Sequence, residues 1–329
     1  MTFLKKINKT YLRNIIYTKK IMLLNELVLR VASRLGLGYI PFTLPVHMEV
    51  ELSNKCNLAC AMCPRPSMKR KVGTMSFEVF KKVMDQTRNS ITLLWLHLFG
   101  EPLLTPELLL KAIDYSKKRG VKEVAASTNA MLLTGGIAKK LLTSKMDRLL
   151  ICIDGATKKT HEALRKGSDY DVVVRNVKRF FELKKRLKND SLTVVLQIIK
   201  LEVNKDEIEA YFEQWKTYDC EIHVKQCSDW SKQIEGRGVL LPFQQPEDYP
   251  VCQRPWMDLS ILWDGRVSIC CRDVNGIAII GNINKDPLKK VWNSKKMRLI
   301  RKFIYEGKLE NISICKNCDD WMVSDERLK

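Results

Sequence analysis

The residues best suited to chemistry stand in one short run, "CNLACAMCPR", at residues 56–65. Cys56, Cys60 and Cys63 fall within eight positions, and no fourth cysteine is nearby. One loop carrying three thiolates can serve three corners of a four-iron, four-sulfur cube. Such cubes are usually held by four cysteines, one per iron, so three cysteines leave one iron open. Catalytic zinc sites differ from structural ones by the same kind of open position. Zinc itself favours two short cysteine pairs from separate turns, which this run does not offer.

The elements that must position the loop come as an alternation. "VHMEVEL" (46–52), "ITLLWLHLF" (91–99), "VKEVAAS" (121–127), "DRLLICID" (147–154), "SLTVVLQII" (191–199) and "CEIHVKQ" (220–226) are short, aliphatic or β-branched, and bounded by polar breaks. They predict strands. Helical spacing fills the intervals near 76–89, 105–119, 134–145, 170–188 and 205–218, with Ser76 and Thr105-Pro106 as starts and Gly120 as a stop. Repeated strand–helix units imply parallel pairing with right-handed crossovers. The α/β core at 46–226 is therefore an incomplete barrel or an open doubly wound sheet. In either, the loops after the strand C-termini carry the chemistry. The cysteine loop follows the first strand, Gly100-Glu101-Pro102 the second, Ser127-Thr128-Asn129 the third, and Asp154-Gly155 closes the fourth. Four polar stretches thus converge on one rim.

Residues 1–45 form a basic prelude with helical spacing from Thr10 to Leu35, interrupted by Asn25, Glu26, Arg30 and Arg34. It is too broken to cross a membrane. It suits packing on the following domain, or peripheral membrane contact through Lys5, Lys6, Lys9, Lys19 and Lys20. Residues 227–251, rich in Gly, Pro and Gln, read as a linker or covering loop. Residues 252–329 read as a small α+β domain, with a hairpin turning at Asp264-Gly265 and a helix near 286–305.

Apolar residues make up 45% of the 329, enough for a real core. Lys and Arg outnumber Asp and Glu by 57 to 37, a net charge of +20. That balance favours an anionic partner, or a plain solvated Lys surface. Eleven cysteines, an odd count and clustered, with no secretory signal, point to metal binding in a cytoplasmic protein rather than to disulfides.

With these residues in view, the chain resembles the radical S-adenosylmethionine (SAM) superfamily over about residues 46–226. The C-x3-C-x2-C loop after the first strand resembles its cluster motif. "FGEP" resembles its GGEP segment, with Phe99 in place of the first glycine; "STNAM" resembles its polar stretch after the third strand; "CIDGATKKTHEALRKG" resembles its S-I-D-G segment, with Cys152 where serine is frequent. Met62 stands where an aromatic residue is common. The resemblance implies a partial (β/α)6 TIM-like barrel. It also implies a SAM-binding [4Fe-4S] cluster on Cys56, Cys60 and Cys63, and SAM contacts from Gly100, Glu101, Pro102, Ser127, Asn129, Asp154 and Arg165. In that family an electron from the reduced cube breaks the S–C bond of SAM, and the resulting 5′-deoxyadenosyl radical takes a hydrogen atom from substrate. The electron comes from a reducing partner such as flavodoxin or ferredoxin. An apolar barrel interior would protect the radical.

Cys252, Cys270, Cys315 and Cys318 form a second set, whose spacing about Gly265, with "GNINKDPLKKVWNS", resembles the SPASM auxiliary-cluster domain. No further cysteine follows Cys318, so one auxiliary [4Fe-4S] cluster is expected, as in the shortened "twitch" form. Cys271 is the candidate catalytic thiol, returning a hydrogen atom to the substrate, with Cys270 taking that part if Cys271 is the ligand. Cys152, Cys220 and Cys227 read as small core residues, and His97 as a satisfied core histidine. The favoured function is oxidation or epimerisation of a small polyol- or sugar-type metabolite. The alternative within the class is peptide or protein modification. From another class comes a zinc-binding basic nucleic-acid module. That module would interleave aromatic and basic residues on one face, and no such stripe is present.

Overall fold

The computed structural model describes residues 44–87, 89–228, 230, 252–316, 318 and 325–328. The helical prelude lies outside these residues except for its last two, and the linker is described only at Cys227, Ser228 and Trp230.

Six parallel strands, β1 (His47–Val50), β2 (Leu93–Trp95), β3 (Glu123–Thr128), β4 (Arg148–Cys152), β5 (Thr193–Lys200) and β6 (Glu221–Gln226), pair in chain order. This is the parallel partial barrel expected. One face of each strand is apolar and buried, including Met48, Val50, Leu94, Val124, Ala126, Leu149, Ile151, Val194, Leu196 and Ile198. Helices cover that face: α1 (Phe77–Asp85), α2 (Pro106–Lys118), α3 (Gly135–Leu142), α4 (Lys158–Leu164), α5 (Tyr170–Arg186) and α6 (Ile208–Trp215).

Local chemistry sets the helix ends. The Ser76 hydroxyl accepts from the Val79 amide (3.3 Å), and α1 buries Phe80, Val83 and Met84 at helical spacing. Each of those side chains contributes about 1.5–3 kcal/mol on burial. Pro106 opens α2, and Gly120, at φ +83°, reverses the chain after it.

The C-terminal region contains α7 (Arg254–Met257), β7 (Asp258–Ile261), β8 (Arg266–Ser268), β9 (Ile279–Asn282), α8 (Leu288–Trp292) and α9 (Lys295–Tyr305). Strand β7 pairs in parallel with β1, placing Glu49 opposite Ser260. Strands β8 and β9 add antiparallel partners. β10 (Asp325–Leu328) pairs antiparallel with β6. One ten-stranded sheet therefore runs through both regions.

Several local expectations need correction. The helix expected near 286–305 is two, broken at Asn293–Ser294, where the Ser294 hydroxyl caps α9 through Met297 N. Helix α4 and strands β9 and β10 are additions, each too short for periodicity to reveal. The second strand keeps only three of nine expected residues, because the chain leaves the ladder before the Gly100 loop.

The inner face is mixed rather than wholly apolar. Successive strand residues point to opposite faces, so the face away from the helices carries Glu49, Trp95, Ser127, Cys152, Gln197, His223 and Lys225 beside apolar Leu150 and Val195. His97, just beyond β2, is not a satisfied core histidine either. Among the described residues its buried Nδ1 has no hydrogen-bond partner, and burial followed by the charge of Lys225 lowers its pKa to about 4.

Candidate active site

The rim above β1–β4 is stitched by hydrogen bonds between the loops. Within the cysteine loop, the Cys63 amide donates to the Cys60 carbonyl (3.1 Å), and the Leu58 amide donates to Cys56 Sγ (3.5 Å). The Ala59 and Ala61 amides donate to the carbonyls of Lys166 and Leu164, fastening the loop to the end of α4. The three cysteines pack together around Leu58, Met62, Leu164 and Leu201. Burial pushes the Cys60 thiol up to about 12, against the opposing pull of Arg165. Burial raises Cys56 as well.

Glu101 is the knot between loops. Its buried carboxylate accepts from Leu103 N (3.0 Å), Thr128 Oγ1 (2.8 Å) and Asn129 N (2.8 Å), while its own amide donates to the Lys55 carbonyl (2.8 Å). Burial nevertheless holds its pKa above the ordinary value. Asn129 Nδ2 donates to Asn57 Oδ1 (3.0 Å), inside the cysteine loop. Gly100 is required by close approach: a Cβ there would lie 2.1 Å from the Ser53 carbonyl oxygen and 2.8 Å from that of Lys55. Pro102 opens the single 3-10 turn that Glu101 caps.

Asp154 holds Arg165. Arg165 Nε and Nη2 reach Asp154 Oδ2 at 2.7 and 2.6 Å, and Nη1 lies 3.9 Å from Cys60 Sγ. Burial alone would lower the guanidinium pKa; Asp154, Cys60 and Cys152 outweigh it and raise it. Asp154 Oδ1 accepts from Ile199 N (2.7 Å), and Asn204 Nδ2 donates to the Asp154 carbonyl (3.1 Å). His161 Nδ1 accepts from Asp154 N (3.3 Å), which leaves Nε2 to donate to Ser168 Oγ (3.0 Å). Ser127 Oγ lies 3.2 Å from Cys152 Sγ on the inner face.

The second set meets under the sheet extension. Cys252, Cys270, Cys315 and Cys318 line one cavity with Arg254, Arg272 and apolar side chains. The Arg272 amide donates to Cys270 Sγ (3.4 Å). Buried Asp273 shapes this loop, accepting from Ile277 N (2.8 Å), Ala278 N (2.9 Å) and Ser268 Oγ (2.7 Å). Cys271 does not line the cavity. Its thiol hydrogen-bonds that of Cys270, and it acts electrostatically on Glu49, whose pKa is held well above normal by burial and then by Cys271 and Asp258. Ser260 Oγ donates to Glu49 Oε2 (3.0 Å), and Arg254 Nη1 lies 3.7 Å from Oε1.

Both sulfur sets offer the thiols that an iron–sulfur cluster takes as ligands, three on one loop and four around one cavity. The N–H···S bonds to Cys56 and Cys270 suit thiolate ligands.

The sequence readings and the structure differ on the remaining cysteines. Cys220 packs against the main core. Cys227 instead packs against the three-cysteine loop, and Cys152 lines the inner face beside Ser127. Asn57, Thr128, His161, Asn204 and Trp230 were not singled out from sequence. Asn57, Thr128 and His161 lie inside the quoted "CNLACAMCPR", "STN" and "CIDGATKKTHEALRKG" stretches, whereas Asn204 and Trp230 carry no such signal.

The fold and the open three-cysteine loop define an iron–sulfur enzyme built on a partial barrel. A model described as the Radical SAM superfamily matches residues 50–214, and the chain belongs to that superfamily. A model of the SPASM iron–sulfur cluster-binding domain matches residues 252–319. Among curated relatives, the mycofactocin maturase MftC of Mycobacterium tuberculosis is 30% identical over 132 residues. That alignment covers 40% of this chain and only 33% of MftC, so the chain spans about a third of that relative's length. Among solved structures, Streptococcus suis SuiB bound to precursor peptide SuiA matches with TM-score 0.64 and 15% identity, over 82% of this chain and 70% of that one. BtrN in complex with AdoMet and 2-DOIA matches with TM-score 0.58 and 18% identity, over 84% and 94%. No helix among the described residues is long and apolar enough to cross a membrane.

Proposed function

We propose that this radical SAM enzyme modifies a peptide or protein, with a cytoplasmic reducing partner of the flavodoxin or ferredoxin kind supplying electrons. The observation that carries the mechanism is the pairing of two sulfur sites on one sheet, an open set of three and a closed set of four. Cys56, Cys60 and Cys63 would hold the SAM-binding cluster. The Gly100–Pro102 backbone, Ser127 and Asn129 would seat SAM, with Arg165, steadied by Asp154, facing its carboxylate. Cys252, Cys270, Cys315 and Cys318 would hold the auxiliary cluster. When bound, these groups supply a 5′-deoxyadenosyl radical and an electron-transfer centre.

The chain's own part is to orient the substrate on the inner face and to handle its hydrogen. Cys271, which is not among the residues lining the four-sulfur cavity, would be the thiol that returns a hydrogen atom.

The peptide reading is supported by likeness to a peptide-bound SuiB and to a maturase. It replaces the polyol reading as the first choice. Likeness to BtrN, whose complex contains 2-DOIA and which this chain covers almost entirely, favours a small metabolite as the second reading.

One experiment separates the two. The anaerobically reconstituted enzyme is incubated with SAM, reductant and either a peptide panel or a polyol and sugar panel. The peptide reading expects peptide-stimulated 5′-deoxyadenosine and an altered peptide mass. Stimulation by polyols alone overturns it.

A further inference from the structure

The two sulfur sites are joined by a run of ring and guanidinium contacts that the reaction chemistry does not itself require. Trp230 stands at its centre. Its indole Nε1 donates to the Met62 carbonyl (3.0 Å), between Cys60 and Cys63. Its ring meets Phe99, the residue before Gly100, with centroids 5.9 Å apart. The Arg272 guanidinium lies over the same indole, 5.3 Å from the ring centroid. Arg272 is the residue whose amide bonds Cys270 Sγ and whose side chain lines the four-cysteine cavity.

Phe99 is held by a second cation as well. The Arg70 guanidinium sits 5.4 Å from the Phe99 centroid, bonds the Val274 carbonyl (2.7 Å), and pairs with buried Glu51 (2.7 Å from Nη1 to Oε2). Trp230 adopts φ +56°. A bulky residue is rare in that left-handed region, and such strain persists where surrounding contacts over-determine the conformation. Its amide is held by Ser228 Oγ (2.9 Å).

We infer that Trp230 is a positioning residue that ties the SAM-site loop to the auxiliary-cluster loop, so that each site's occupancy changes affinity at the other. Loading four thiolates pins the Cys270–Arg272 turn. Arg272 then fixes the indole, and the indole N–H fixes the Met62 carbonyl inside the Cys60–Cys63 turn. Linkage is reciprocal, so SAM binding must bias the auxiliary site by the same free energy. The inference rests on the proposed assignment of clusters to both cysteine sets, and not on the identity of the substrate.

The test is a cycle read by SAM binding and spectroscopy. SAM affinity is measured by equilibrium dialysis on reconstituted enzyme, with and without Cys315→Ala/Cys318→Ala, in the parent, Trp230→Ala, Trp230→Phe and Arg272→Gln backgrounds. Loss of the auxiliary site should weaken SAM binding at least about fivefold in the parent, the lower bound of ordinary coupling. The effect should fall below about twofold in Trp230→Ala. Trp230→Phe keeps the ring contacts without the N–H and should be intermediate, while Arg272→Gln should behave like Trp230→Ala.

In the same samples, SAM should shift the electron paramagnetic resonance spectrum of the reduced auxiliary cluster in the parent and not in Trp230→Ala. Equal SAM affinity with and without the auxiliary site, in parent enzyme carrying about eight irons, overturns the inference alone. Coupling that survives in both Trp230→Phe and Arg272→Gln also overturns it. Parent enzyme without iron at the second site overturns the cluster assignment together with the inference.

Discussion

Glu101→Gln tests whether one buried carboxylate organises the loops proposed to seat SAM. Glu101 Oε1 accepts two donors, Leu103 N and Thr128 Oγ1, and Oε2 accepts Asn129 N. A glutamine amide cannot serve all three. With its NH2 at the Oε2 position it faces the Asn129 N–H, a donor against a donor. With its NH2 at the Oε1 position, Thr128 can rotate to accept, but the Leu103 N–H loses its partner. Either way one buried backbone donor is stranded, at a cost of about 1–3 kcal/mol.

Loss of charge assistance in the remaining bonds costs roughly 2 kcal/mol more. Removing a buried charge relieves part of the desolvation penalty that raises the Glu101 pKa. The expected net loss is about 2 kcal/mol of stability for Glu101→Gln. Glu101→Ala, which strands both backbone amides and leaves a cavity, should lose at least about 2 kcal/mol more. Because Glu101 N also bonds Lys55 O in the cysteine loop, SAM affinity should fall about tenfold in Glu101→Gln, equivalent to 1.4 kcal/mol. Urea unfolding and equilibrium dialysis measure the two effects. Both variants within about 0.5 kcal/mol of the parent, with unaltered SAM binding, would refute the role.

Cys60→Ala should abolish SAM cleavage, whereas Cys315→Ala should retain it at saturating SAM and fail to complete turnover; 5′-deoxyadenosine and product are quantified separately. Gly100→Ala forces a Cβ into the Ser53 and Lys55 carbonyls. It should therefore lose SAM binding while far-ultraviolet circular dichroism stays native, and normal affinity would contradict the close-packing argument. His161, buried and then opposed by Arg165, has its pKa lowered to about 3. The unfolded chain takes up this proton near pH 6.5, so the stabilisation is complete above about 6.5 and is lost as pH falls toward 3. The slope is at most about 1.4 kcal/mol per pH unit. His161→Gln keeps an acceptor for Asp154 N and should flatten the acid limb of the unfolding profile; parallel profiles for parent and variant would count against it.

The barrel was legible because each strand–helix unit writes its own local signal. Alternation of Met48 and Val50 with Glu49, the Ser76 cap and Gly120 all act within a few residues. The cysteine loop was legible because its ligands lie on one loop. The continuation of the sheet from β1 to β7 was not, since strand pairing across more than two hundred residues leaves no mark on either segment. Nor was the role of Cys227, whose neighbours at the three-cysteine loop come from the opposite end of the barrel. The polar part of the inner face was written in the sequence as Glu49, Gln197 and His223, yet reading it required knowing which side the helices cover.

By itself, the sequence determined the chemistry on offer: three thiols on one loop, a loop too short to supply a fourth, and strands whose ends would gather polar residues. Tertiary structure alone decided which of the adjacent pair Cys270 and Cys271 lines the four-sulfur cavity. It also decided that Arg165 reaches Cys60, and that Trp230 spans the two sites. The physical reason is range. Ligand spacing and helix caps depend on bonds a few residues long, whereas the direction of a side chain at a junction depends on every element packed against it.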